Sequence, residues 1–306
     1  MLKSIDWVTI WGYKSHIKVD NNVLVVSKGS TKSVYPLSSF KHLLIVGGHI
    51  LDTSSISYLM NNNICISFFT IHGEPVGTVL PSNYNFHRIP TIQKNISVHK
   101  SALSVLVSSL SSRIKYLNEL NSVSSGELYY KGEQDILNKA YAELEYLITL
   151  PELLRVFLLT RDMYYEILSR KTPHELNYQR RVNPPYKDPV NAMFSHGYAV
   201  LYANVCVSAV GAGLDLDIGA LYGPVVPIKK NQFACVLDIM EPLKTQMVDD
   251  IVMKMVQDGC VNNQYEVSTR CILSETLIHE LNLRLSKSIS KESIDTAVKS
   301  YVNSIC

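Results

Sequence analysis

The sequence predicts an α+β protein: a small N-terminal β-sandwich-like domain over residues 1–85, followed by a larger all-α domain over 91–306. Three observations predict it. Short runs rich in β-branched and aromatic residues, separated by turn formers, are confined to the first 85 residues. Apolar residues recur at three- and four-residue spacing beyond about residue 96. Between the two patterns, Ser82 to Pro90 collects Pro81, Asn83, Asn85 and Pro90 and reads as a linker.

Taken in order, Trp7–Trp11, His16–Val19, Val23–Ser27 and Ser33–Tyr35 are strand-like runs divided by Gly12, Asp20-Asn21-Asn22 and Gly29, at the spacing of a meander. Leu43–Val46, Ile64–Phe69 and Pro75–Leu80 are further strands around one helix, Thr53–Met60. Asp52 or Thr53 can cap that helix, and Ile56, Leu59 and Met60 give it an inner face. Beyond the linker, Leu103, Leu106, Leu110, Ile114 and Leu117 mark a helix over 96–120. Lys100, Arg113 and Lys115 fall off that stripe, as a solvated face or a DNA-facing one. Gly126 and Gly132 interrupt it. Two helices, 136–150 and 153–168, lie around Pro151, and the tail from Leu273 to Val302 is amphipathic helix with a break at Ser286–Ser290.

Composition narrows the function classes. With 46% hydrophobic and 18% charged residues the 306-residue chain has the apolar content of a folded protein rather than a disordered one. No window holds the roughly 18 unbroken apolar residues of a membrane span, and the N-terminus lacks a signal-peptide core, so a cytoplasmic location and no membrane partner are expected. The cysteines at 65, 206, 235, 260, 271 and 306 form no close pair and sit mostly in apolar runs, as buried free thiols do. Residues 1–85 hold six Lys and four acidic residues, leaving 23 basic and 23 acidic residues for the remainder. Any DNA binding must therefore come from local patches, because a global basic field is missing.

The stretch Arg180–Glu241 has the densest functional patterning. Arg180 and Arg181 lead into Asn183-Pro184-Pro185, which keeps the chain out of helix. Asp188 can cap a helix starting at Pro189, and Val190, Met193, Phe194, Tyr198, Leu201, Val205 and Val210 with small residues between them describe a helix buried nearly all round. Phe233–Leu237 is a strand or a buried helix start, leading to Asp238 and Glu241 ahead of Pro242 and a further helix. Two carboxylates at that spacing either face one hard cation or complement a helix N-terminus.

Asn183-Pro184-Pro185, Asp188-Pro189-Val190-Asn191-Ala192, Gly197-Tyr198-Ala199-Val200-Leu201-Tyr202, Gly213-Leu214-Asp215 and Asp238-Ile239-Met240-Glu241-Pro242 occur in an order that resembles the CRISPR-associated adaptation integrase and endonuclease, the first-numbered Cas protein family. The resemblance covers nearly the whole chain. It implies a homodimer through segments such as Leu43–Gly48 and Gly73–Gly77, DNA (spacer precursor or repeat) as the substrate, other CRISPR adaptation proteins as partners, and Mg²⁺ or Mn²⁺ as cofactor. The metal would be held by a glutamate, a histidine and an acid.

Two of those three positions depart from the family. Aligning Tyr164-Tyr165 with the family's aromatic pair puts Phe157 at the glutamate position, or Leu158 with a one-residue shift, and Tyr222 stands at the histidine position. Only Glu241, with Asp238 nearby, remains, so tight metal binding is not expected. The expected function is spacer acquisition through DNA binding or scaffolding, with catalysis lost. An active metal-dependent nuclease or integrase with a rearranged site is the alternative, and an interaction module without a nucleic-acid role is a third reading. The densest cations near the ancestral site are Arg180, Arg181, Lys187, Lys229 and Lys230, with Asn191 at the base of the loop; they are either a DNA surface or a solvated loop.

Overall fold

In a computed structural model, residues 6–82, 88–122, 128–230 and 232–305 are described. Most of the expected linker (Ser82–Pro90), together with Gly126 and Cys306, lies outside them. The chain divides into two compact units that interleave along the sequence: Met1–Ile96 with Tyr202–Ile218 and Ile294–Cys306, and Ser97–Leu201 with Gly219–Ser293. The expected domains at 1–85 and 91–306 follow chain order, which these units do not.

The first unit is built on one six-stranded sheet of β1 (Trp7–Asp20), β2 (Val23–Lys28), β3 (Thr31–Pro36), β4 (His42–Leu51), β5 (Cys65–Phe69) and β6 (Pro75–Val79), in the order β3-β2-β1-β4-β5-β6. The runs expected as two strands at Trp7–Trp11 and His16–Val19 are the single strand β1, with an irregularity between Tyr13 and His16. The pairs β1–β4 and β4–β5 are parallel and the others antiparallel, so the sheet is mixed rather than a meander. The helix α1 (Thr53–Asn61) supplies the crossover that a parallel β4–β5 pair requires. Asp52 caps it, accepting from Ser55 N at 2.7 Å. All six strands are hydrogen-bonded into this one sheet, and the second facing sheet of a sandwich is not among the described strands of the unit.

From Leu43 to Val46 strand β4 is apolar without alternation because both its faces are covered there. Leu43 and Ile45 join Val8, Ile10, Leu24, Leu59, Ile64 and Ile66 in one buried cluster. On the opposite face Leu44 and Trp7 meet the end of α6 (Pro189–Gly211), where a Cβ on Gly211 would lie 2.8 Å from each. From the same strand the buried His42 bridges Gly211 O (3.2 Å) and Ser67 Oγ (2.8 Å). The helix α10 (Lys291–Ile305) closes this unit: Trp7 Nε1 and Ser208 Oγ both donate to Asp295, and Lys299 pairs with Asp6.

The second unit is mainly helical. Its elements are α3 (Val98–Ser122), α4 (Glu133–Glu143), α5 (Leu150–Ser169), the first part of α6, α7 (Ala234–Met240), α8 (Asp250–Gln257) and α9 (Glu275–Ser288). It is not all-α. The strands β7 (Tyr265–Val267) and β8 (Cys271–Leu273) form a hairpin about Ser268-Thr269-Arg270, a short β-rich stretch that the helical reading of the tail passes over. The helix α2 (Arg88–Lys94), which belongs to the first unit, overlaps the expected linker only at residues 88–90, with Pro90 in its first turn, where a missing amide donor costs nothing. Pro151 likewise opens α5 behind a Thr149–Glu152 capping box rather than separating two helices. Phe233 precedes α7, so the ambiguous run 233–237 is helix; from Glu241 a 3₁₀ turn and the π-helical turn Thr245–Asp249 lead into α8.

Among the described residues α6 is the one helix long and apolar enough to cross a membrane by length and composition; more than half of that span is buried inside the fold, as in a core helix. Of the five described cysteines, four are buried.

Candidate functional site

Phe157, Tyr222 and Glu241, far apart in sequence, come together in the second unit. Phe157 reaches the site from the buried face of α5, and its ring meets Tyr222 edge-on at 6.0 Å. Tyr222 follows Gly219, where a Cβ would lie 2.6 Å from Tyr222 O. The Tyr222 hydroxyl donates to Glu241 Oε2 at 2.6 Å. Glu241 is 1% exposed, so its carboxylate is desolvated and needs partners. It has two cations: Arg113 from α3 bonds Oε1, and Lys244, one turn on, bonds Oε2.

Arg113 is buried, not on the solvated face expected for it. Its position extends the true inner stripe of α3, which runs through Ala102, Leu106, Leu110 and Leu117. The guanidinium carbon lies 5.7 Å from the Phe157 ring centre and 5.6 Å from that of Tyr164, so the faces of two aromatic rings help to hold the charge. Lys244 Nζ sits 5.4 Å from the Tyr198 ring and 5.7 Å from that of Tyr222. Burial alone would push the Glu241 carboxyl up, but Lys244, Arg113 and the hydrogen bonds to Lys244 and Tyr222 outweigh it and hold the pKa at about 2. Burial and the adjacent Glu241 charge keep Tyr222 a neutral phenol, well above its ordinary pKa.

Asp238 is engaged by the loop that precedes it. Its carboxylate accepts from the amides of Ala220 (2.5 Å), Leu221 (3.3 Å) and Tyr222 (2.8 Å), and so fixes the loop that presents Tyr222. Burial pushes it up to about 6 against the pull of those amides. It clamps the loop 220–222, a role that neither sequence reading of the acid pair names. Asp249, which sequence reasoning missed, is a third buried carboxylate and accepts from Tyr164 (2.8 Å) and Tyr198 (2.5 Å). Burial raises it to about 6 as well. Among the described residues no three His, Cys, Asp or Glu side chains gather as a metal-holding group.

The loop cations divide by exposure. Arg180, Lys187, Lys229 and Lys230 are exposed. Lys187 Nζ reaches Ser268 O and Lys229 Nζ reaches Asn183 Oδ1, both at 3.1 Å. Arg181 is half-buried and already committed: it donates to Asn191 O and Oδ1 and to Ser195 Oγ. Asn191, expected at the base of the loop, is 1% exposed. Its side chain bonds Asp188, Arg180 O and Val182 N, organising the loop from beneath. As expected, Asp188 caps α6, accepting from Asn191 N at 2.7 Å. His196 bonds Asn282 at 2.7 Å.

A family model, "CRISPR associated protein Cas1", matches residues 8–285, most of the chain. The chain belongs to the Cas1 family. A Cas1 relative from Methanospirillum hungatei JF-1 is 35% identical over 297 residues, 96% of each chain. Among solved structures, a casposase bound to integration product superimposes with a TM-score of 0.80 at 16% identity, covering 98% of this chain and 95% of that one. A partial Cas6-RT-Cas1–Cas2 complex gives 0.75 at 16% identity over 99% and 96%. At these identities the two structures speak for the Cas1 fold alone. The family is that of the endonucleases and integrases of CRISPR adaptation, as the motif order implied.

Proposed function

We propose that this Cas1 protein serves CRISPR adaptation by binding DNA and scaffolding, with its metal-dependent catalysis lost. The observation that carries the reading is the partnering of Glu241. Both its oxygens are bonded to Arg113, Lys244 and Tyr222, and the neighbouring Phe157 offers no ligand. A divalent cation would need hard oxygen ligands with spare lone pairs; here it would meet one carboxylate already neutralised by two fixed cations. The residues present do not fit Mg²⁺ or Mn²⁺. The charge a metal would supply is supplied by the side chains themselves.

Branched DNA incubated with Mn²⁺ is expected to stay uncut, and the melting temperature is expected to be the same in EDTA and in Mn²⁺. Cleavage that Glu241→Ala abolishes would overturn the reading. DNA as partner is supported by the exposed Arg180, Lys187, Lys229 and Lys230 and by the casposase neighbour, which is described as bound to integration product. The Cas1–Cas2 complex among the neighbours supports a Cas2 partner, which implies a cytoplasmic site of action. Affinity should fall steeply with salt, and replacing Arg180 and Lys230 together with alanine should flatten the log–log slope by about 0.9 for each phosphate that the variant no longer neutralises.

The second reading, an active nuclease or integrase with a rearranged site, is favoured by one observation: the Methanospirillum relative is described as an endonuclease. The same cleavage experiment decides between the two.

A further inference from the structure

We infer that the acidic, apolar face made by α4 and the turn that follows it is a docking site for a cationic amphipathic helix of a partner protein. It uses none of the loop cations on which the DNA reading rests. Among the described residues Ile148 and Tyr146 are the most exposed large apolar side chains, at 79% and 73%. Ile136 and Tyr141, on the same short stretch, are exposed as well. The helix α4 turns Leu137 inward, and Leu144 is buried just past its end, so packing within the unit makes no use of the other four. Single apolar side chains scattered over a surface are ordinary, whereas four between Ile136 and Ile148 mark a face that something covers.

Alongside, α3 and α4 enclose an open groove of about 590 Å³, with Ile114 and Tyr141 in its apolar lining and Asn118, Glu119 and Asn138 in its polar one. Tyr141 thus belongs to the groove and to the exposed stretch. The walls are fixed in advance. Asn118 Oδ1 accepts from the Tyr129 hydroxyl at 3.0 Å and from Gln134 Nε2 at 3.1 Å, and the Arg170–Glu133 pair ties the start of α4 to the end of α5. A site formed before its ligand arrives loses little freedom on binding.

Charge selects the occupant. From Asp135 to Glu152 the sequence holds four carboxylates and one lysine. Lys139 is taken by Glu143 at 3.8 Å, and Glu152 is spent on the cap of α5. Asp135 and Glu145 stay exposed, and among the described residues neither has a cation within ion-pair distance. Such a face repels phosphate, so neither DNA nor an anionic lipid surface is its ligand, and it attracts lysine and arginine. Its elements are helices, without a strand edge to pair an extended chain. An arriving segment must therefore satisfy its own backbone, as a helix does, presenting apolar side chains at three- and four-residue spacing to Tyr141, Tyr146 and Ile148 and cations to Asp135 and Glu145.

Fluorescence anisotropy with three labelled peptides tests this: a leucine–lysine amphipathic helix, a scrambled peptide of the same composition, and the first pattern with glutamate in place of lysine. The patterned cationic peptide should bind at least about ten-fold more tightly than either of the others. Tyr146→Ala and Ile148→Ser should each weaken it about ten-fold, and Glu143→Gln with Glu145→Gln about three-fold, with duplex DNA affinity unchanged. All four side chains are exposed, so the variants should melt as wild type does. Equal binding of the patterned and scrambled peptides would reduce the face to a charge effect and overturn the site. Tighter binding of the glutamate peptide, unchanged affinity in the Tyr146 and Ile148 variants, or no binding of any peptide overturns it too. If light scattering shows that Ile148→Ser dissolves a dimer of this chain, the occupant is a second copy and the inference falls. Duplex binding by wild type, measured alongside, tests the DNA reading separately, so either can fail without the other.

Discussion

Glu241 and Arg113 are a buried pair, and such pairs are more costly to break than to forgo. Glu241→Ala leaves the guanidinium of Arg113 and the ammonium of Lys244 facing each other without a counter-charge, and should lower unfolding free energy by about 3–5 kcal/mol in urea titration. A loss below about 1 kcal/mol would mean that the two cations find solvent when the carboxylate is gone. Half of this site is legible in the sequence. Phe157, Tyr222 and Glu241 can be picked out because motif order is a one-dimensional property. Arg113 cannot, since the stripe drawn through Leu103, Leu106, Leu110, Ile114 and Leu117 leaves it out, whereas the face that turns inward runs through Leu106, Leu110, Arg113 and Leu117. A charged residue on an apolar stripe is the available signal, as are Lys244 at i+3 from Glu241 and Asp249 inside an apolar run.

His42 gives a second prediction at this scale. Burial depresses it to about 4, against the pull of Gly211 O. A histidine whose folded pKa lies below its unfolded value binds more protons when unfolded, so its contribution is full above about pH 6.5 and is lost as pH falls toward 4, at most about 3 kcal/mol. Asp238 and Asp249, raised to about 6, act in the opposite sense: ionisation of either costs stability as pH rises through that value. The difference between wild type and His42→Gln isolates the histidine, and their stability gap should narrow between pH 6.5 and 4.5.

At the scale of elements, the contact between α6 and the segment leading into α8 depends on Gly197. A Cβ there would lie 2.5 Å from Val248 Cγ1. Helix propensity alone would favour alanine by about 1 kcal/mol, but overpacking costs about 1–3 kcal/mol. Gly197→Ala should therefore destabilise the protein, and Val248→Ala should rescue part of the loss in a double-mutant cycle. Additive effects would show that the helices separate freely. Elements defined by a period are legible, among them α1, α6 and β2. The parallel pairing of β4 with β1 and β5 is not, because apolar runs carry no strand direction. The hairpin β7–β8 escapes because three-residue strands are shorter than any periodicity window.

For the whole molecule, the homodimer remains a proposal, and its surface shifts. Leu43–Val46 and Ile64–Phe69, expected as an exposed apolar edge, lie in β4 and β5 inside the sheet and are mostly buried. The edges are β3 and β6, and beside the latter Val76, Val79 and Leu80 are 69%, 38% and 43% exposed. An unpaired apolar edge needs cover, so light scattering at micromolar concentration should report a dimer, and Val76→Lys should shift it toward monomer. A wild-type monomer would remove the argument.

The closure of the first unit by α10 bears on how the chain is made. Synthesis runs from the N-terminus, so β1 to β6 leave the ribosome long before Asp295 and Lys299, the residues that join Trp7 and Asp6. The second unit needs nothing beyond Ser293. The unit begun first is therefore finished last: its sheet waits with Trp7 and Leu44 uncovered until the end of α6 is made, and Trp7 and Asp6 wait longer, until α10 follows, a state in which chaperone binding or aggregation competes with folding.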